Sequence, residues 1–189
     1  MAVEENLKSG ILSSLTKPIA LVGMMGAGKS HVGRELAEIL GLKIYDSDKV
    51  IEDKAGQSVA DIFKNFGEKK FRGAEHNTII ELLQRGPCII ATGGGALSNP
   101  ETLEVLKEGS IMIWLDADFE TLWERVQKSQ TRPLLQTDNP EKKLKTLMQD
   151  RHPLYAQSHI HFKMNAGSQQ QAHEALIKAL YEYLNIGKV

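Results

Sequence analysis

Eight consecutive residues, Gly23-Met24-Met25-Gly26-Ala27-Gly28-Lys29-Ser30, constrain this chain more than any others. They follow the apolar run Ile19–Val22 and precede a segment in which Val32, Leu36, Ile39 and Leu40 recur on one helical face. The pattern G-x-x-x-x-G-K-[ST] between a strand and a helix predicts a phosphate loop. Its glycines let backbone N–H groups turn inward around an anion, and the next helix adds free N–H groups and its positive dipole end. Lys29 then reaches the outer phosphates of a nucleotide, and the Ser30 hydroxyl is placed to ligate Mg²⁺.

The rest of the chain fits one α/β domain. Short apolar runs at Ile19–Val22, 42–45, 88–92, 110–115 and 159–164 alternate with helical patterns. Thr78, Ile79, Leu82 and Leu83 share one helix face; Ala172, Leu176, Leu180 and Leu184 share another. Near-continuous apolarity suits strands buried on both faces. Five such alternations predict a doubly wound, five-stranded parallel sheet in a three-layer α/β/α sandwich, with ligands beyond the C-terminal strand ends. Residues 1–17 are expected as an N-terminal arm and 18–189 as a single domain. Lys and Arg total 23 against 24 Asp and Glu, which gives no support to a nucleic-acid or polybasic membrane binder. No run approaches the roughly 20 apolar residues of a membrane span, and the acidic N-terminus lacks the pattern of a secretory signal. One cysteine, Cys88, excludes an internal disulfide and a cysteine zinc cluster and fits a reducing compartment; it and both tryptophans are expected in the core.

Charged and glycine-rich residues gather at the other strand ends. Asp46 and Asp48 lie two apart, so an extended chain would aim both carboxylates at one site, one toward Mg²⁺ and one toward a hydroxyl proton. The alternative is a helix cap. Gly93, Gly94 and Gly95 allow backbone to approach a ligand. Arg72 and Glu75, at i,i+3, could pair so that a carboxylate orients a guanidinium. Ser58 is expected to cap a helix ending near Gly67. Arg132, in the polar excursion 129–140, suggests a lid that brings positive charge to the phosphates. Pro153 sets Arg151 near a helix end. His159 and His161 alternate on a strand with no third ligand at useful spacing, so they are expected to line a sheet end or surface.

Together these residues resemble the shikimate kinase family. The resemblance runs from about residue 18 to 185, through GMMGAGKS, the aspartates of DSD, GQSVADIFKNFGEKKFR with Glu75, TGGG, RPLL and RHPLY in that order. It implies a P-loop kinase fold with a mobile lid at about 129–140 and a shikimate-binding helical segment at about 47–75. It also implies ATP-dependent phosphorylation of the shikimate 3-hydroxyl to shikimate 3-phosphate and ADP, in chorismate and aromatic amino-acid biosynthesis. The implied nucleotide contacts are Gly26, Ala27, Gly28, Lys29, Ser30, His31, Arg125 beside adenine, and Arg132, with residues 165–167 as the adenine loop. Mg²⁺ falls to Ser30 and Asp46. The acceptor falls to Asp48, Arg72, Gly93, Gly94, Gly95 and Arg151, and catalysis to Lys29, Asp48 and Arg132. The partners implied are ATP and shikimate, and the enzyme implied is a cytoplasmic monomer.

Two alternatives stay open from the residues. Asp53-Lys54-Ala55-Gly56 spells the D-x-x-G of a regulatory GTPase, but too close to the phosphate loop and without N-K-x-D. A kinase for another small acceptor, such as gluconate or a nucleoside monophosphate, would share the phosphate loop and lid.

Overall fold

Strand β1 (Ile19–Val22) is apolar at all four positions and buried throughout, so it needs strands on both edges and helices over both faces. The computed structural model, which describes residues 2–128, 133–135, 137–164 and 169–185, provides both. Strands β2 (Ile44–Asp46), β3 (Ile89–Ala91), β4 (Ile111–Asp116) and β5 (Ile160–Lys163) join β1 in one parallel sheet of order β2-β3-β1-β4-β5. Ile19 pairs with Ile89 on one side and Ile111 on the other. The expected five-stranded sheet with helices on both faces is therefore present.

Helix α1 (Ala2–Ser14) precedes β1, and α2 (Lys29–Leu40) follows it. Gly33 of α2 approaches Leu21, Ile44 and Ile89 so closely that a Cβ there would collide with the Ile44 side chain. Its buried stripe is Val32, Gly33, Leu36, Ala37 and Leu40. Ile39, expected on that stripe, lies off it and is 38% exposed, at the edge of the face centred on Leu36 and Leu40. On the opposite face, Trp114 of β4 packs against Tyr155 of α7 (Pro140–Tyr155). Helix α8 (Gln169–Asn185) packs against β5, α2 and α1. The N-terminal segment expected as an arm is thus helical, with Ile11 and Leu15 buried in the main core.

Helices α3 (Ser47–Ala55) and α4 (Val59–Leu83) carry a smaller core of Ile51, Ile62 and Phe71. The Ser58 hydroxyl accepts from the Asp61 N–H, as a cap should. The expected stop at Gly67 is instead a kink, φ 78° and ψ 167°, and the helix resumes through Leu83. Only glycine adopts that conformation cheaply. Packing of Ile62 before the kink and Phe71 after it onto Ile51 keeps both halves helical. Helices α5 (Pro100–Gly109) and α6 (Phe119–Gln127) flank β4 in sequence. Pro153 sits inside the last turn of α7 rather than beyond it, where buried Arg151 and Tyr155 hold that turn. Trp114 and Cys88 are buried as expected, while Trp123 is half-buried, stacked on Phe119. The His159 ring accepts from the Met112 N–H, and His161 stacks on Trp114 and pairs with Asp116. Arg132, residues 165–167 and positions 129–131 and 136 of the excursion lie outside the described residues.

Because Ile11 is fully buried and Leu12 is 40% exposed, the two report separately on the docking of α1. Ile11→Ala is expected to cost about 2–4 kcal/mol and Leu12→Ala less than about 1 kcal/mol, read from urea unfolding midpoints.

Candidate active site

The loop after β1 turns on Gly26 and Gly28, whose positive φ angles of 84° and 91° side chains rarely adopt, and Gly28 caps α2. Lys29 is buried, and its ammonium donates to the carbonyls of Gly23 and Met24 at 2.8 and 2.9 Å. Ser30 Oγ donates to Asp46 Oδ2 at 2.6 Å. Arg125 reaches across from α6 and donates to the Gly26 carbonyl at 3.0 Å. His31 is half-exposed, with its Nε2 3.4 Å from Glu35 Oε2 one turn on.

Asp46 and Asp48 do not share one extended face. The chain turns helical at Ser47, and Asp46 Oδ1 caps α3 by accepting from the N–H groups of Asp48 and Lys49. Asp46 therefore serves as cap and as partner of Ser30 together. Asp48, carried one residue into α3, lines a separate cavity of about 440 Å³.

That cavity collects the other predicted acceptor residues: Arg72, Gly93, Gly94, Gly95 and Arg151, with Glu75 beside them. Glu75 is almost fully buried and accepts from Arg72 Nη1 at 2.6 Å. Arg72 Nε and Nη2 donate to Glu68 Oε1 at 3.2 and 3.0 Å. The rings of Phe71 and Phe63 flank the guanidinium. Glu75 Oε1 accepts no hydrogen bond among the described residues. Burial pushes the Glu75 carboxyl above the ordinary range and the negative charge of Asp48 adds to this, against the pull of Arg72 and Arg151.

The glycine loop after β3 needs its bare α-carbons. A Cβ at Gly93 would lie 2.5 Å from Glu75 Oε1 and 2.7 Å from Asp48 Oδ1, and one at Gly95 would strike the Arg72 guanidinium. Gly93 N–H donates to Ser47 Oγ at 3.0 Å. Arg151, also buried, donates to the Gly94 carbonyl at 3.0 Å, and the Tyr155 hydroxyl donates to the same oxygen. Burial pushes the Tyr155 hydroxyl up to about 12.

Several lining residues were not foreseen: Met25 from the phosphate loop, Phe63 and Phe71 from α4, and Leu134 from a short turn at Pro133–Leu135. Phe63 and Phe71 straddle the Gly67 kink, which no periodicity announces. Tyr155 had a legible signal, since it stands four residues beyond Arg151 on one helix and so shares its face.

The oxygens of Ser30 and Asp46, side by side beyond the phosphate loop, are hard donors of the kind Mg²⁺ takes. No group of three His, Cys, Asp or Glu able to hold a metal occurs among the described residues, so an ion here would complete its shell from phosphates and water.

The family model described as shikimate kinase matches residues 25–181. The shikimate kinase of Bartonella quintana (strain Toulouse) is 40% identical over 179 residues, covering 94% of this chain and 85% of that protein. That of Rhizobium meliloti (strain 1021) is 44% identical over 142 residues, covering 75% and 74%. Among solved structures, the shikimate kinase from Acinetobacter baumannii in complex with shikimate superposes with a TM-score of 0.82 at 39% identity, over 92% of this chain and 95% of that one. The shikimate kinase of Aquifex aeolicus gives 0.75 at 30% identity, over 87% and 96%.

The buried tyrosine yields a pH test. The folded state keeps the Tyr155 proton up to about pH 12, whereas an unfolded tyrosine loses it near 10. The stability this group contributes is thus complete below about pH 10 and lost as pH rises toward 12. Over that interval wild type is expected to lose about 2–3 kcal/mol more stability than Tyr155→Phe, measured by urea unfolding at matched pH.

Proposed function

The chain belongs to the shikimate kinase family, catalysing ATP-dependent phosphorylation of shikimate, and we propose that it does so at the junction of the phosphate loop and the Asp48 cavity. The observation that carries the site reading is that adjacency. Met25 lines the cavity, and Gly94 lies against the Met25 N–H, so donor and acceptor would meet with no side chain between them.

On this reading ATP lies along Gly26, Ala27, Gly28, Lys29, Ser30 and His31, with Arg125 over the loop and Arg132 closing on the phosphates. Arg72 and Arg151 take the carboxylate and ring of shikimate, since a guanidinium matches a carboxylate with paired N–H donors. Gly93, Gly94 and Gly95 offer backbone without side-chain bulk. Asp48 accepts the hydrogen bond of the 3-hydroxyl and aims its oxygen at the γ-phosphorus. In a loose transition state that positioning counts for more than basicity. Lys29 and Arg132 then oppose the charge spread over the transferring phosphoryl oxygens. Ser30 and Asp46 would hold Mg²⁺, which when bound neutralises charge on the β- and γ-phosphates. The working unit on this reading is a monomer. ATP as donor and the single buried Cys88 support a reducing, cytoplasmic setting. No described helix is long and apolar enough to cross a membrane.

ADP release from Mg·ATP, measured with shikimate, gluconate and nucleoside monophosphates in parallel, tests the acceptor. Stimulation by shikimate alone, with one phosphoryl group added by mass, is the expected result; turnover with another acceptor would overturn the roles given to Asp48, Arg72 and Arg151. Arg151→Ala is expected to raise KM for shikimate at least about tenfold while KM for ATP stays within about threefold. Equal effects on both would remove Arg151 from the acceptor site.

A further inference from the structure

Tyr155 has no part in the scheme above. It is buried to 1% exposure and is not among the residues lining the cavity. Its hydroxyl nonetheless joins two loops. It donates to the carbonyl of Gly94 in the acceptor loop, and it lies 3.6 Å from Met24 Sδ in the phosphate loop. The ring is fixed from behind by Trp114, with centroids 5.9 Å apart.

The two loops touch without side chains at this point. A Cβ on Gly94 would sit 2.9 Å from the Met25 nitrogen. Thr92 ties the base of the glycine loop to β1, its N–H and Oγ1 donating to the Leu21 carbonyl at 3.2 and 3.0 Å, but farther out the contact is backbone on backbone. Around this contact, the Gly94 carbonyl is held by Arg151 Nη1 and the Tyr155 hydroxyl, and the Met24 carbonyl by Lys29 Nζ. The Arg151 bond to Gly94 falls on the acceptor loop, and the two Lys29 bonds fall on the phosphate loop. The Tyr155 hydroxyl touches both.

We propose that Tyr155 is a positioning residue that keeps the acceptor loop in line with the phosphate loop. The proposal rests on the kinase reading above. In the productive step the acceptor oxygen bonds to the γ-phosphorus as the bond to the β,γ-bridging oxygen breaks. ADP and a phosphate ester form, and the hydroxyl proton passes through the Asp48 hydrogen bond to solvent. When the loops slip, the acceptor oxygen leaves the line of attack and water takes its place, giving ADP and inorganic phosphate. Misalignment thus lowers turnover and uncouples ATP consumption from acceptor phosphorylation, while both binding sites keep their contacts.

The test uses the full chain with saturating Mg·ATP and shikimate, measuring ADP, inorganic phosphate and phosphorylated shikimate together. Wild type is expected to form ADP and ester one to one. Tyr155→Phe is expected to lower kcat about tenfold, with KM for each substrate within about threefold and ADP in excess of ester. Loss of stability alone would not change the ADP-to-ester ratio. Met24→Leu, which keeps apolar bulk but deletes the sulfur, is expected to move kcat and the ratio in the same direction. It decides the matter alone if Tyr155→Phe does not fold. Wild-type kcat with one-to-one coupling in the folded variants would overturn the proposal. So would a rise confined to KM for shikimate, which would make Tyr155 a binding contact. A wild-type chain whose ADP release does not respond to shikimate would overturn the kinase reading itself, and this inference with it.

Discussion

Everything in this molecule is arranged around a strand that cannot touch water. β1 has four apolar residues, all buried, and its backbone N–H and C=O groups must be paired inside the protein. β3 on one edge and β4 on the other meet that need. Because all the pairs are parallel, the chain leaves each strand at the same end of the sheet. The phosphate loop leaves β1 there, the glycine loop leaves β3, and Asp46 with Asp48 leaves β2. The order β2-β3-β1 sets these three exits side by side. The candidate active site is thus a consequence of how one apolar tetrapeptide is covered.

The parts of the sequence that depend on burial or local chemistry could be read directly. Five mostly apolar runs became five strands, each within two residues of its expected ends; the central β1, β3 and β4, covered on both faces, tolerate little polarity, while the edge strands β2 and β5 are only partly buried. The glycines and Lys29 of the phosphate loop likewise carry their geometry in their residue types. Where packing decides, the sequence misled. Gly67 carries a strong stop signal, yet Ile62 and Phe71 both pack on Ile51 and the helix continues through a kink. Asp46 and Asp48 share a face only in extended chain, and the backbone turns helical between them. The N-terminal segment lacks a strong pattern of its own and becomes core mainly through α8, with α2 beside it. Met25, Phe63 and Leu134 come to one cavity from three distant segments, a convergence no spacing encodes.

The acceptor cavity also shows how buried charge is made tolerable without becoming inert. Arg72 faces two carboxylates of unlike character. Glu75 is 1% exposed, and removing its partner would strand a buried charge, so that pair stays closed. The Glu68 side chain is 51% exposed, and such a pair is worth little against water. The Nε and Nη2 edge that Glu68 occupies is the edge a guanidinium uses for paired hydrogen bonds to a carboxylate. Arg72 is therefore anchored by a bond that is costly to break while presenting its recognition edge through one that is cheap to exchange. Arg151 likewise lines the cavity while its Nη1 donates to the Gly94 carbonyl. Arg72 is held by Glu75 and Glu68, and Arg151 by the Gly94 carbonyl, which fixes the orientation of both guanidinium groups. On the proposed reading, an anionic acceptor would meet two cations whose ordering cost was met during folding, and binding would gain from the preorganisation.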